Sequence, residues 1–287
     1  MINISKIAVL AVVQGVSELL PVSSSAHVIV AEKLMGLDPT KPEMTLLLVM
    51  LHTGTMFAVI VFFWNSWKTR FFRSPLIILE TIKCIAVATA ATGFIGLSLK
   101  ILIEKFILKG VSHPEIEMLF GKLLLISAAL AAVGALILLA GYKESRSRER
   151  TPLGLKSAFL IGLVQGICLP FRGFSRSGAT ISTGLVLGIE KKLLEDFSFA
   201  LAVILTPPVI LMEAIRFFKG QHAALHHGAS AMGLFLPSLI GMILSFISGI
   251  LALKWLSDWL ERGRWYLFGI YCLCASAVIF LLYCRGL

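Results

Sequence analysis

Charged residues are scarce in this sequence of 287 amino acids. Only 15% of the residues are Asp, Glu, Lys or Arg, whereas 57% are hydrophobic and the mean hydropathy is +0.91. A water-soluble domain carries about 25% charged residues, because its surface must be hydrated. The shortage excludes a soluble globular protein, since so many apolar side chains must face lipid. The sequence therefore predicts an integral membrane protein.

Cysteine is also rare, and its spacing excludes two kinds of site. The five cysteines lie within apolar runs and form no CxxC pair, so neither a zinc site nor a disulfide framework is indicated. The net charge of +10 would suggest nucleic acid as the partner of a soluble protein, but in a membrane protein it indicates basic loops facing anionic lipid. We therefore expect the lipid bilayer, and not nucleic acid, as the partner.

Six segments are long and apolar enough to cross a hydrocarbon core of about 30 Å, which takes roughly 20 helical residues. Two further segments, about 4–35 and 157–188, are apolar at both ends but interrupted by Pro, Gly, Ser and charged residues. Because irregular backbone is tolerated at membrane depth only where protein or water satisfies it, each interrupted segment predicts a re-entrant helical hairpin. The expected fold is all-α, with two hairpins and six transmembrane helices at 44–64, 76–106, 118–141, 197–217, 231–254 and 265–284.

The two interrupted segments resemble each other. One shift of 151 positions aligns Gln14 with Gln165 and Ser24 with Ser175. Three predicted spans separate the copies, so the second copy enters from the opposite face and the repeat is inverted. Inverted repeats with interrupted helices predict a binding site near the bilayer midplane, where helix N-termini face an anion.

Basic loops give the expected orientation and division of the chain. Repeat 1 covers residues 1–141 and repeat 2 covers residues 157–287, with a basic cytoplasmic linker at 142–156. This linker and two loops on the same side of the predicted spans contain Lys68, Arg70, Arg73, Lys143, Arg146, Arg148, Arg150, Lys156, Lys254, Arg262 and Arg264. By the positive-inside rule this side is cytoplasmic, which places the first hairpin on the outer face and the second on the inner face.

The first interrupted segment contains one group of candidate functional residues. Glu18 lies in an apolar stretch, and an ionisable group at the centre of a membrane helix costs roughly 2.5–3.5 kcal/mol on insertion, so a partner or a polar cavity is expected. Ser23 and Ser24 follow Pro21 and have two interpretations, as caps of the next helix or as groups that take part in chemistry. His27 has the near-neutral proton affinity of an acid, a base or a nucleophile, although a single histidine is more often structural.

The second interrupted segment contains a candidate anion site. Arg176 stands between Ser175 and Ser177, flanked by Gly173 and Gly178, which let the backbone approach a ligand closely. A guanidinium fork, hydroxyls and free N–H groups are donors that bind a phosphate. The alternative is an arginine that pairs with the acidic residue of the first segment for structure alone.

Both segments resemble the signature motifs of one family. Residues 18–27, Glu-Leu-Leu-Pro-Val-Ser-Ser-Ser-Ala-His, and residues 173–180, Gly-Phe-Ser-Arg-Ser-Gly-Ala-Thr, are similar to the two motifs of the undecaprenyl pyrophosphate phosphatase family, the bacitracin-resistance type. The resemblance covers essentially the whole chain. It implies hydrolysis of a polyprenyl diphosphate lipid, undecaprenyl diphosphate, to undecaprenyl phosphate and phosphate with a divalent cation. It also implies a place in the bacterial inner membrane, with the active site open to the periplasmic face, and recycling of the lipid carrier of peptidoglycan synthesis.

The resemblance further implies roles for individual residues. Glu18 would hold the metal or tune the base, while Ser24, His27 or an activated water would attack or exchange protons. Arg176, with Ser175, Ser177 and Thr180, would hold the diphosphate. The other residues expected to contact the substrate are Gln14, Ser23, Ser25, His52, Arg172 and Gly178. For His52, which lies within the first span, a satisfied interior histidine is the alternative.

Two positions depart from the family pattern. Gln14 stands where the family usually has Glu. The family therefore has two acidic residues one helical turn apart, whereas here the pair is Gln14 and Glu18, with a single charge. Because Mg²⁺ and Ca²⁺ favour charged oxygen ligands, a weakened cation site is expected. Residues 170–173 read Pro-Phe-Arg-Gly where the family typically has Pro directly before Gly, and the positive charge of Arg172 would partly replace the metal.

A second class of function stays open at this point. Inverted repeats with interrupted helices are also typical of transporters, so a translocase that flips a polyprenyl phosphate or another lipid phosphate without hydrolysis is the alternative. The joint presence of Glu18, Ser24, His27 and Arg176 favours the phosphatase, since flipping needs neither a nucleophile nor a base. The sequence leaves open the prenyl chain length and whether the protein forms a homodimer.

Overall fold

Helices make up almost all of the described structure. The computed structural model describes residues 3–38, 42–107, 119, 121–146, 151–224 and 231–286. Within these ranges there is no β-strand, and a single isolated bridge joins Thr151 to Ile189. The expected all-α class is confirmed.

Ten α-helices follow one another along these residues. In chain order they are α1 (Ile4–Leu19), α2 (Ser24–Leu34), α3 (Pro42–Arg70), α4 (Pro75–Leu102), α5 (Leu123–Arg146), α6 (Leu155–Cys168), α7 (Arg176–Val186), α8 (Lys191–Ala224), α9 (Ala231–Glu261) and α10 (Tyr266–Cys284). A short π-helical segment, Ile103–Ile107, continues α4. Six of these helices, α3, α4, α5, α8, α9 and α10, are long and apolar enough to cross a membrane, which confirms the expected number of spans.

The fourth span begins earlier than the sequence predicts. Hydropathy places its start at residue 197, because the preceding turns are charged, whereas α8 begins at Lys191. The buried carboxylate of Asp196 accepts a hydrogen bond from Ser66 Oγ at 2.7 Å and lies 3.2 Å from Arg70 Nε. These partners at the end of α3 compensate the charge, so the charged turns stay helical inside the bundle.

The connection between the two halves also differs from the prediction. α5 continues to Arg146, so the linker expected at 142–156 begins inside a helix. Residues 147–150 of that linker lie outside the described residues, as does the start of the span expected at 118–141.

The two interrupted segments fold as pairs of short helices. α1 and α2 have 16 and 11 residues, and α6 and α7 have 14 and 11 residues. Each helix is shorter than the roughly 20 residues that a membrane crossing takes. The members of each pair pack against each other. Their re-entrant path through the bilayer stays a prediction.

Equivalent helices of the two halves make equivalent contacts. α1 packs against α9 and α6 packs against α4, which are the first and fourth helices of opposite halves. In addition, α5 packs against α10 and α3 against α8. The contact between the first helix of one half and the fourth helix of the other thus occurs twice, as a two-fold relation between the halves requires. The inverted orientation of the repeats stays a prediction.

Gly162 sets the distance between α6 and α4. A Cβ atom at this position would lie 2.3 Å from the carbonyl oxygen of Ala88, and only a backbone shift would relieve that overlap. The close approach lets Thr92 Oγ1 donate a hydrogen bond to the Gly162 carbonyl at 3.0 Å. Because α6 leads into the second interrupted segment, this contact helps to position the turn that follows.

We expect the substitution Gly162→Ala to destabilise the protein by about 1–3 kcal/mol, because α4 and α6 must move apart. The matched control is Gly93→Ala on α4, where a Cβ would meet no atom within 4 Å and alanine favours the helix. Thermal unfolding in detergent measures both variants. Equal melting temperatures for the two variants would contradict the role given to Gly162.

Candidate active site

The end of α1 and the start of α2 place a carboxylate beside a hydroxyl. α1 stops before Pro21, because proline disfavours the helical conformation in the residue that precedes it, and Leu20 is extended with φ −75° and ψ 153°. Ser23 then adopts φ 68°, a conformation that costs a residue with a Cβ on the order of 1–3 kcal/mol. This turn brings Ser24 Oγ to 2.5 Å from Glu18 Oε2.

Four side chains surround the Glu18 carboxylate. Its Oε1 lies 3.1 Å from Arg176 Nη2, and its Oε2 accepts hydrogen bonds from Ser24 at 2.5 Å and from Gln14 Nε2 at 3.1 Å. His52 Nε2 lies 3.9 Å from the same Oε2. Burial raises the pKa of the Glu18 carboxyl, but His52 and Arg176, with the two hydrogen bonds, outweigh burial and hold this pKa below its usual value. Glu18 is therefore ionised at neutral pH and can accept a proton.

The turn before α7 holds Arg176 opposite this carboxylate. Gly173 has φ 112°, and a Cβ there would lie 2.5 Å from a backbone carbonyl oxygen of α5, so only glycine fits. Ser175 caps α7, because its Oγ accepts a hydrogen bond from the Gly178 amide at 3.2 Å. Thr180 Oγ1 donates to the Arg176 carbonyl at 2.9 Å. These contacts fix the first turn of α7, and with it the direction of the guanidinium.

Two helix N-termini meet at the site, those of α2 and α7. Ser23, at the N-cap of α2, makes no side-chain hydrogen bond to the first turn, and Ser24 donates to Glu18 instead. The interpretation of these two serines as helix caps is therefore not what the structure shows. Because a helix N-terminus carries roughly half an elementary positive charge, two of them at one place favour an anion.

These groups line one cavity of about 730 Å³. Most of the site residues predicted from the sequence line it, namely Gln14, Glu18, Ser23, Ser24, Ser25, His52, Arg172, Ser175, Arg176 and Ser177. His52 combines both of its interpretations, since it lines the cavity and its Nδ1 also donates to the Leu48 carbonyl at 2.8 Å. The cavity thus brings together both interrupted segments and α3.

Three predicted site residues lie outside this lining, namely His27, Gly178 and Thr180. His27 Nδ1 donates to the Ser23 carbonyl at 2.7 Å, and its Nε2 lies 2.7 Å from the Tyr271 hydroxyl on α10. Burial lowers the pKa of His27, with a smaller opposite effect of the bond to Ser23, so the ring is neutral and Nε2 accepts from Tyr271. Thr180 Oγ1 lies 2.5 Å from Ser198 Oγ on α8. His27 and Thr180 are therefore placed to position the helices that carry Ser24 and Arg176.

Glu32 and Gln165, which were not predicted as site residues, also line the cavity. Glu32 is 4% exposed and Gln165 is 0% exposed. Signals for both exist in the sequence. Glu32 is, like Glu18, an acidic residue in an interrupted apolar segment, and Gln165 is the repeat counterpart of Gln14.

The donors in this cavity do not fit a divalent cation held by side chains alone. Mg²⁺ and Ca²⁺ need several oxygen ligands, preferably carboxylates. Both oxygens of Glu18 already face donors, and Gln14 turns its amide nitrogen toward them. Among the described residues, no group of three or more His, Cys, Asp or Glu side chains is placed to hold a metal ion. The role of Glu18 as a metal ligand stays a prediction.

The arrangement suits attack on a phosphoryl group. Arg176 and Arg172, with the two helix N-termini, supply positive charge for phosphate oxygens. The Ser24 hydroxyl lies within hydrogen-bond reach of an ionised carboxylate, which is the geometry of a nucleophile with its base. The cavity therefore places a hydroxyl and an adjacent carboxylate beside donors that suit an anion.

Comparison with known proteins points in the same direction. Residues 7–278 match the family model described as Bacitracin resistance protein BacA. An undecaprenyl-diphosphatase 2 of Acinetobacter baylyi is 58% identical over 275 residues, 96% of each chain. Undecaprenyl-diphosphatases of Bacteroides fragilis, 31% identical over 94% of each chain, and Thermodesulfovibrio yellowstonii, 32% identical over 97% of this chain and 96% of the other, are also similar. Since the similarity spans both interrupted segments and nearly the whole chain, the protein belongs to the bacitracin resistance protein BacA family.

Proposed function

We propose that this protein is a membrane phosphatase that hydrolyses undecaprenyl diphosphate to undecaprenyl phosphate and inorganic phosphate. One observation carries the proposal: a single carboxylate, Glu18, contacts both the Ser24 hydroxyl and the Arg176 guanidinium in one cavity. The names of the relatives, which are undecaprenyl-diphosphatases, support the same substrate. The reaction recycles the lipid carrier for peptidoglycan synthesis.

Arg176 binds the terminal phosphoryl group of the substrate. Its guanidinium lies at the N-terminus of α7, next to the hydroxyls of Ser175 and Ser177. Arg172, on the turn before α7, supplies a second positive charge to the diphosphate. In a phosphoryl transfer the negative charge spreads over the equatorial oxygens, and fixed donors of this kind stabilise it.

Ser24 is the proposed nucleophile. Glu18 Oε2 accepts the hydroxyl proton while Ser24 Oγ forms a bond to the terminal phosphorus and the bond from this phosphorus to the bridging oxygen breaks. Undecaprenyl phosphate leaves with that oxygen and its electron pair. Water then attacks the phosphoserine, Oγ leaves and takes the proton from Glu18, and the carboxylate takes a proton from the attacking water. Glu18 releases this last proton to solvent when phosphate leaves, which restores the ionised carboxylate. Direct attack by water activated at Glu18 is the competing route.

The membrane helices determine where the substrate lies. We place the prenyl tail against the apolar helices around the cavity and the protein in the bacterial inner membrane, with the cavity open to the periplasmic face. The positive-inside distribution of the basic loops supports this orientation. Assembly as a homodimer stays a prediction.

A translocase that flips a lipid phosphate is the competing function. The same cavity and the same two arginines would serve it. The contact between Ser24 and Glu18 favours hydrolysis, because a group that only carries phosphate across a membrane needs no base beside a hydroxyl.

Replacing the proposed phosphate ligand tests the function directly. We expect Arg176→Ala to reduce phosphate release from undecaprenyl diphosphate by about 100-fold or more, because the transition-state charge loses its donor. Arg176→Lys, which keeps the charge without the fork, should lie between this variant and the wild type. The matched control is Arg262→Ala, since Arg262, just after α9, is exposed, pairs with Asp258 at 2.7 Å and is not among the residues that line the cavity. No release from the wild-type protein, with or without added cations, would overturn the phosphatase and favour the translocase.

The identity of the nucleophile is tested with the adjacent serines. Ser24→Ala should lower the rate by about 100-fold or more, whereas Ser25→Ala, which removes a neighbouring hydroxyl of the same cavity, should cost much less. Rapid quenching with substrate labelled in the terminal phosphate should trap label on the wild-type protein and none on Ser24→Ala. Full activity of Ser24→Ala without a trapped intermediate would establish direct attack by water.

The divalent cation that the family resemblance implies, and that the side chains of this cavity do not hold by themselves, is tested at Gln14. Gln14→Glu places a second carboxylate one helical turn before Glu18, so half-maximal activity should need less Mg²⁺ than in the wild type. Gln14→Met is the control, because it removes the hydrogen bond to Glu18 without adding a charge. The measurement is phosphate release during a Mg²⁺ titration after chelation. The same midpoint for the wild type and Gln14→Glu would contradict a cation site at this position.

A further inference from the structure

Glu32 is a buried acid that the proposed chemistry does not use. It lies in the last turn of α2, is 4% exposed and lines the cavity that holds Glu18 and Arg176. Within the described part of the chain its Oε1 is buried and has no hydrogen-bond partner. A carboxylate kept only for structure normally has partners for both oxygens, as Glu18 does. Glu32 therefore needs another explanation.

The ionised form of Glu32 conflicts with the cavity that it lines. The cavity has two arginines and two helix N-termini, which attract a phosphate, whereas a buried carboxylate repels one. The neutral carboxyl group has the opposite effect, since its O–H is a donor for a phosphate oxygen. The protonation state of Glu32 thus decides whether this residue opposes or supports anion binding.

The charges near Glu32 come from several elements. The titratable or charged residues that line the same cavity are Glu18, Lys33, His52, Cys168, Arg172 and Arg176. Beyond the cavity, Lys6 on α1 donates to the Met35 carbonyl just after α2, and His27 on α2 faces Tyr271 on α10. Burial raises the pKa of Glu32 to about 7, and Arg172 opposes this shift. The protonation of Glu32 therefore changes near neutral pH.

We propose that Glu32 is a proton-dependent part of the phosphate site. In its neutral form it donates its carboxyl hydrogen to an oxygen of a phosphate group held beside Arg172, and in its ionised form it weakens binding of that group. Arg172, which lines the same cavity from the second interrupted segment, shifts the balance toward the ionised form. The proposal rests on the phosphate site of the proposed function and adds a residue that controls the affinity of this site.

The sign of the pH dependence follows from these two forms. Below pH 7 Glu32 is neutral and the affinity for a phosphate-like anion is high. As the pH rises above 7, the ionised form dominates, and the affinity falls by about tenfold for each pH unit if only the neutral form binds. Glu32→Gln keeps the shape and a donor but cannot ionise, so its affinity should stay level over the same range.

Sulfate is the probe for the experiment, because its charge does not change near neutral pH as that of phosphate does. Isothermal titration calorimetry of the full-length protein in detergent would measure sulfate affinity from about pH 5.5 to 8.5. We expect a fall of at least tenfold above pH 7 for the wild type and little change for Glu32→Gln. Glu80→Gln, an exposed glutamate of α4 outside the cavity, is the matched control and should behave as the wild type.

Two results would overturn the proposal. One is the same pH dependence in the wild type and Glu32→Gln, which would assign the titration to another group. The other is the lack of sulfate binding to the wild type at any pH. Because sulfate binding needs no hydrolysis, an inactive wild-type protein with a pH-dependent sulfate site would contradict the phosphatase and still support the role of Glu32.

Discussion

The ion pair between Glu18 and Arg176 is the contact on which the site depends. It joins the end of α1 to the start of α7, 158 positions apart in the chain. Both side chains are mostly buried, and the loss of one partner leaves the other charge unpaired, at a cost of about 3–5 kcal/mol. Since the same carboxylate accepts hydrogen bonds from Ser24 and Gln14, one interaction aligns the Glu18 carboxylate, the Ser24 hydroxyl and the Arg176 guanidinium.

The two halves of the chain contribute unequal chemistry to this pair. With the shift of 151 positions that aligns the interrupted segments, Glu18 aligns with Leu169 and Arg176 aligns with Ser25. All four residues line the cavity. Each half thus has an uncharged residue where the other half has its charge. Neither half could form the ion pair alone, which explains why a site of this kind needs both copies of the repeat.

Sequence reasoning located the six spans, and most of the site residues that it predicted line the cavity, because spans and motifs both depend on local sequence. It placed the start of α8 too late, because the partners that compensate Asp196 lie on α3, far away in the sequence. It could not place His27 outside the cavity, because the hydroxyl of Tyr271 that faces its ring is 244 positions away. Glu32 shows a different limit. It is an ionisable residue in an apolar segment, as Glu18 is, and the same cost of burial predicts a polar cavity for it, but it lies outside both family motifs.

Residues far away in the sequence hold the strained turn at Ser23 through direct hydrogen bonds. Ser177 Oγ donates to the Leu20 carbonyl at 3.3 Å, and Cys272 Sγ on α10 donates to the Pro21 carbonyl at 3.3 Å. The conformation of the turn therefore depends on contacts from α7 and α10. A random search for inactive variants should therefore recover substitutions on α10 at positions that do not contact the lipid substrate. These variants would have slower turnover and nearly unchanged substrate affinity.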